Sequence, residues 1–117
     1  MSTLPRSPSP TISDNSLEKA LDWLRDNAQA IGDAKARSIQ TARMREHILA
    51  LQMKQHTTLP VSAQEREAKA SKAYHDAIVE EAKAAGAYET MRALREAAAL
   101  KIEAWRSEQA NFRALKI

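Results

Sequence analysis

The stretch Ser62 to Leu115, SAQEREAKASKAYHDAIVEEAKAAGAYETMRALREAAALKIEAWRSEQANFRAL, decides the fold. It contains no proline and one glycine, Gly86, so nothing in it forces a helix to stop. Ser62 and Glu65 stand at capping-box spacing, in which the Ser hydroxyl takes the amide three residues on and the Glu carboxylate reaches back. Apolar residues then recur at helical spacing through Ala70, Tyr74, Ala77, Ala84, Tyr88, Met91, Leu94, Ala98, Ile102, Trp105, Phe112 and Leu115. This pattern predicts one helix over about 62–115, roughly 80 Å long.

Upstream, Pro60 biases Leu59 away from helical geometry and ends the preceding helix near His56. That helix is expected to start at Asn15 or Ser16, where Asn15 and Glu18 offer a second capping box. Leu17, Leu21, Leu24, Ala28 and Ile31 follow at four-three spacing, with Trp23 just off this seam. The seam weakens after Gly32, where Lys35, Ser38 and Arg45 fall on its positions, and recovers with Met44, Ile48, Leu49, Leu51 and Met53. One glycine costs a helix only about 1 kcal/mol, so the reading keeps a continuous helix over about 16–56, with a split at Gly32 as the alternative.

Two long helices joined by a short connection pack as antiparallel neighbours. The fold class expected is therefore all-α, a long antiparallel helical hairpin over residues 16–117. Leu17, Leu21 and Leu24 fall opposite Ile102, Ala98 and Leu94, and Ile31 falls beside the alanine-rich run 82–87. A lone hairpin covers one side of each helix, and the core here is alanine-rich with only 4% aromatic residues. Self-association into a helical bundle or coiled coil follows, with Ile78, Val79, Leu100, Trp105 and Phe112 as its candidate residues. Residues 1–15, with Pro5, Pro8 and Pro10 among Ser and Thr, read as a disordered tail.

The absence of cysteine excludes disulfides and thiolate catalysis. No apolar run has membrane-span length and the N-terminus lacks a signal-peptide core, so the cytoplasm is expected and no membrane partner. His47, His56 and His75 lie at none of the spacings by which one helix face holds a metal. No glycine-rich phosphate loop or nucleophile elbow occurs, and a thin hairpin has little water-excluding space. The chain reads as a non-enzyme without cofactor, metal or small-molecule substrate.

The formal net charge is +3 with a sequence pI near 9.4. Arg95, Arg106 and Arg113, spaced by eleven and seven residues, superpose on one helical stripe, with Arg92 and Lys116 to either side. Such a stripe is able to track phosphates, with Trp105 and Phe112 nearby for stacking. A second basic run, Lys35, Arg37, Arg43 and Arg45, sits where the first helix loses its seam. The alternative for the first is a solvated face whose arginines pair with Glu96, Glu103 and Glu108 on the same helix or with acids of a partner chain, and for the second a surface exposed because nothing covers it.

The blocks LEKALDWLRDNA (17–28), AQEREA (63–68) and KIEAWRSEQA (101–110) resemble those of small helical proteins of tailed phages and prophages, often encoded near early recombination or replication genes. The resemblance implies a phage accessory protein in the bacterial cytoplasm. Three functions follow as expectations. The first is a non-catalytic accessory factor that binds DNA or a DNA-handling protein. The second is a protein-interaction module that inhibits a host defence or regulatory protein. The third is a virion structural or assembly protein.

Overall fold

The computed structural model describes residues 12–115. Residues 1–11, which hold most of the expected tail, and Lys116 lie outside the described residues. Four elements follow in order: α1 (Asp14–Met53), a 3₁₀ turn (Lys54–His56), α2 (Val61–Lys69) and α3 (Lys72–Leu115). No strand occurs among the described residues. The fold is all-α, a helical hairpin whose two long arms are α1 and α3.

The arms begin and break elsewhere than expected. α1 starts at Asp14 because Ser13, not Asn15 or Ser16, supplies the cap. Its hydroxyl accepts the Ser16 amide at 3.0 Å, and its carbonyl accepts the Leu17 amide at 3.0 Å. Gly32 lies inside an unbroken helix, so the split alternative falls away.

The single helix over 62–115 is corrected to two. Pro60, with φ −59° and ψ 155°, stands immediately before α2, and its carbonyl accepts the Gln64 amide at 2.9 Å. Ser62 is therefore already inside the first turn, and no side-chain cap forms. Glu65 instead takes the Lys69 ammonium at 2.8 Å, four residues on, which holds that ammonium above its ordinary pKa.

α2 stops at Lys69, and Ser71 opens α3. The Ser71 amide turns back to the Ala68 carbonyl at 3.1 Å and its hydroxyl donates to the same oxygen at 2.6 Å. That hydroxyl also accepts the Tyr74 amide at 3.2 Å, the geometry of a helix cap. A serine that satisfies both the end of one helix and the start of the next makes a two-residue break inexpensive. α2 packs on the 3₁₀ turn and buries Ala68 completely.

The described residues divide between two compact units. One holds residues 12–28 and 93–115, the other Gln29–Arg92. In the first, the protected positions of α1 are Leu17, Ala20, Leu24 and Asn27, and those of α3 are Ala98, Ile102, Trp105, Gln109 and Phe112. The arms run antiparallel, since Ile12 donates its amide to Glu108 at 3.3 Å and Trp105 donates its indole N–H to Asp14 at 3.0 Å. Asn27 is tolerated in this row because its amide nitrogen donates to the Trp23 carbonyl at 3.0 Å.

The second unit continues the three-four spacing through Ile31, Ala34, Ser38, Thr41, Arg45, Ile48 and Gln52 on α1. Tyr74, Ala77, Glu81, Ala84, Tyr88 and Met91 do the same on α3. The arms are again antiparallel: Arg37 meets Glu80, and Arg45 reaches Glu81 and Tyr74. The observed seam thus keeps Leu17, Leu24 and Ile31 from the expected one but takes Ala20 and Asn27 in place of Leu21 and Ala28. Leu21 is 48% exposed against 5% for Ala20. Small residues at alternate positions let helix backbones approach closely, and Ala20, Ala77, Ala84 and Ala98 are all buried for that reason.

Candidate interaction surfaces

A two-helix seam leaves an open flank on either side, and the chemistry available to this protein is whatever those flanks carry. Within the Gln29–Arg92 unit one cleft of about 430 Å³ is lined by Arg45, Tyr74, Ile78, Glu81, Ala82 and Ala85. Another, of about 190 Å³, lies beside Thr41, Met44, Ile48, Ala73, Asp76 and Glu80. Within the other unit a cleft of about 240 Å³ is lined by Lys19, Ala20, Trp23, Leu94, Ala97, Ala98 and Lys101.

In the basic run of α1, Arg45 lies on the seam row, whereas Lys35, Arg37 and Arg43 are exposed. Arg45 occupies a seam position, pairs with Glu81 and donates to the Tyr74 hydroxyl at 3.4 Å. The Glu81 hydrogen bond, then Tyr74, then the Glu81 charge raise its pKa further above the usual arginine value. Arg37 pairs with Glu80 at 3.2 Å and Arg43 approaches Glu46 at 3.9 Å. Lys35 is exposed. Thr41, between Arg37 and Arg45, is buried yet satisfied, because its hydroxyl reaches the Arg37 carbonyl at 2.9 Å and the Ser38 carbonyl at 3.1 Å. The weakening seam of the sequence is thus a polar seam, in which charges tie arm to arm.

This arrangement carries a double-mutant test. R45A and E81A should each lower the thermal midpoint, and R45A/E81A should lower it by less than their sum. The coupling should shrink as salt rises, because both side chains keep 30% exposure. Strict additivity at low salt would show that the pair contributes nothing.

The arginines of α3 are more open. Arg95 and Arg113 are exposed, Arg106 pairs with Glu103 at 3.2 Å, and Arg92 pairs with Glu89 at 3.0 Å while its guanidinium lies 5.9 Å from the centre of the Tyr88 ring. Trp105 and Phe112 do not stand ready for stacking. Both sit half-buried on the seam row, and the Trp105 indole is engaged by Asp14. As self-association candidates they are half-buried already in the single chain. Ile78 at 44%, Val79 at 37% and Leu100 at 69% exposure remain on the surface.

Charge balance differs little from neutrality in either unit. Residues 12–28 and 93–115 hold six basic and seven acidic side chains, and Gln29–Arg92 holds ten basic and eight acidic. Among the described residues no group of three His, Cys, Asp or Glu is able to hold a metal ion, and no helix is long and apolar enough to cross a membrane. Lys19 and Lys101, outside the candidate set read from the sequence, share a cleft with Trp23. The Lys19–Trp23 spacing of four was visible in the sequence, but the approach of Lys101 depends on the register of the hairpin.

No known protein family, curated protein or solved structure matches the chain.

Proposed function

We propose that the protein is a non-catalytic helical interaction module that works through the open flanks of its hairpin, first by self-association and then by receiving a partner helix. The observation that carries this reading is the exposure of apolar side chains on α3 within each unit. Ile78 and Val79 in one unit and Leu100 in the other lie open on α3, whereas most arginines nearby are spent on acids of the chain itself. The resemblance to phage proteins supplies the setting, the bacterial cytoplasm, and a host or phage protein as the target.

DNA binding is the second reading, and Arg95 and Arg113 favour it by their exposure. One experiment separates the two. Light scattering coupled to size exclusion, with and without short DNA at low and moderate salt, should give a mass at a multiple of 13.0 kDa that DNA leaves unchanged. I78E/L100E should return it to the monomer. A salt-sensitive shift with DNA would replace the module by the accessory-factor reading. A DNA-indifferent monomer that retains no protein after nuclease treatment in a pull-down would overturn the module.

A further inference from the structure

The cleft in the unit of residues 12–28 and 93–115 has a composition that the other two lack. Its floor is apolar, made by the buried Ala20 and Ala98 and by Leu94, which is 46% exposed. Trp23 forms one wall, half-buried. Lys19 and Lys101, from α1 and α3, are both exposed on its lining, and no acid lines it. Glu18, next to Lys19 in sequence, is exposed and does not line the cleft, while Asp22 pairs with Arg25 at 3.3 Å and Glu103 with Arg106 at 3.2 Å. Neither lysine ammonium meets a carboxylate among the described residues, and the Trp23 indole N–H, unlike that of Trp105, has no acceptor there. Two exposed ammoniums and an indole N–H, none of them paired within the described residues, therefore border one apolar depression on an open helical flank.

From this we infer that the Lys19–Trp23–Lys101 cleft is the docking groove for an amphipathic helix of a partner protein, one that carries carboxylates on either side of an apolar row. The inference rests on the interaction-module reading and names the chemistry of its partner. The volume suits an aliphatic side chain and not a whole helix, so one apolar residue seats against Trp23 and Leu94 while the helix lies along the flank. Its carboxylates then accept from the two ammoniums and its apolar row dries the indole face. Complementary charge of this kind sets orientation and encounter rate, and the seated apolar residue sets residence. The other two clefts offer no such match, because each already holds its own acids, Glu81 in one and Asp76 with Glu80 in the other.

The probe is a labelled synthetic helix of three EIAALEE heptads, added to the full chain and followed by anisotropy. W105F leaves Trp23 as the only indole, whose emission should shift to the blue on binding. Binding should weaken with salt and fall at least about tenfold in K19E/K101E, which converts both attractions to repulsions. K19Q/K101Q should fall less, and W23A should weaken binding without steepening its salt dependence. Circular dichroism should show unchanged helicity in the lysine variants, since Lys19 and Lys101 are exposed on helix surfaces. The same peptide with glutamine for every glutamate should bind no more than weakly. Peptide binding that ignores K19E/K101E, or a silent Trp23, overturns the groove and leaves the module reading to be judged by the light-scattering result. Loss of helicity in both lysine variants also overturns it, because the lysines would then hold the fold.

Discussion

Ile31→Ala should lower the stability of the chain by about 2 to 3 kcal/mol, whereas Leu21→Ala should change it by less than about 0.5 kcal/mol. The sequence alone ranks these two aliphatic positions alike, both on one four-three seam. The structure separates them: Ile31 is 8% exposed and lies on the protected row of α1, while Leu21 is 48% exposed. Truncating Ile31 removes apolar contacts and leaves a void that alanine-rich neighbours have few long side chains to fill. The void is shallow because the core is shallow, which places the cost at the lower end of the usual range. Against a total stability of about 5 to 15 kcal/mol the loss is large. Urea unfolding followed by circular dichroism measures it, as a lower midpoint with an unchanged slope. Equal costs at the two positions would show that the seam runs through Leu21 after all.

Ala84→Leu should cost about 1 to 3 kcal/mol by the opposite mechanism, and lower the thermal midpoint by about 5 to 15 °C. Ala84 is 4% exposed on the α3 row that faces α1, and Ala77 on the same row is 7% exposed. With alanine at both positions the arms approach closely, and the three heavy atoms that leucine adds fit only if they separate. Separation in turn loosens the neighbouring Arg45–Glu81 contact. Ala82→Leu, on the exposed side of the same helix, is the control and should be close to neutral. Leucine at residue 84 that stabilises the chain would mean that the arms have room between them.

The fold class was legible because helix-breaking residues are confined to a few positions and the apolar spacing is regular on both sides of Pro60. The pairing level was legible too: Ala20 and Ala98 share a cleft, in keeping with an expected match of Leu21 to Ala98. The face was misread by one residue at alternate positions. Hydrophobicity favours Leu21 over Ala20 for burial, but close helix contact favours the smaller side chain, and no single-helix pattern shows how close the partner lies. Polar residues misled for a related reason. Ser38, Thr41 and Arg45 look like a lapse in the seam until their partners on the other arm or in their own backbone are known. The Ser62–Glu65 box is local, yet Pro60 pre-empted it by starting the helix sooner. As for the surfaces, the exposure of Ile78, Val79 and Leu100 follows from their places off the stripe, whereas the meeting of Lys19, Trp23 and Lys101 needs the folded hairpin.

The break at Ser71 alters how the molecule opens. A helix that ran unbroken from Val61 would fray from its start as one ladder, each lost hydrogen bond weakening the next. Here the ladder of α2 ends at Ala70, and α3 begins with its own cap. α2 therefore forms a cooperative segment of its own, able to lift from the 3₁₀ turn and expose Ala68 while the first turn of α3 keeps its hydrogen bonds. The amides of residues 64–69 are thus set to exchange through local opening, at a free energy below that of global unfolding.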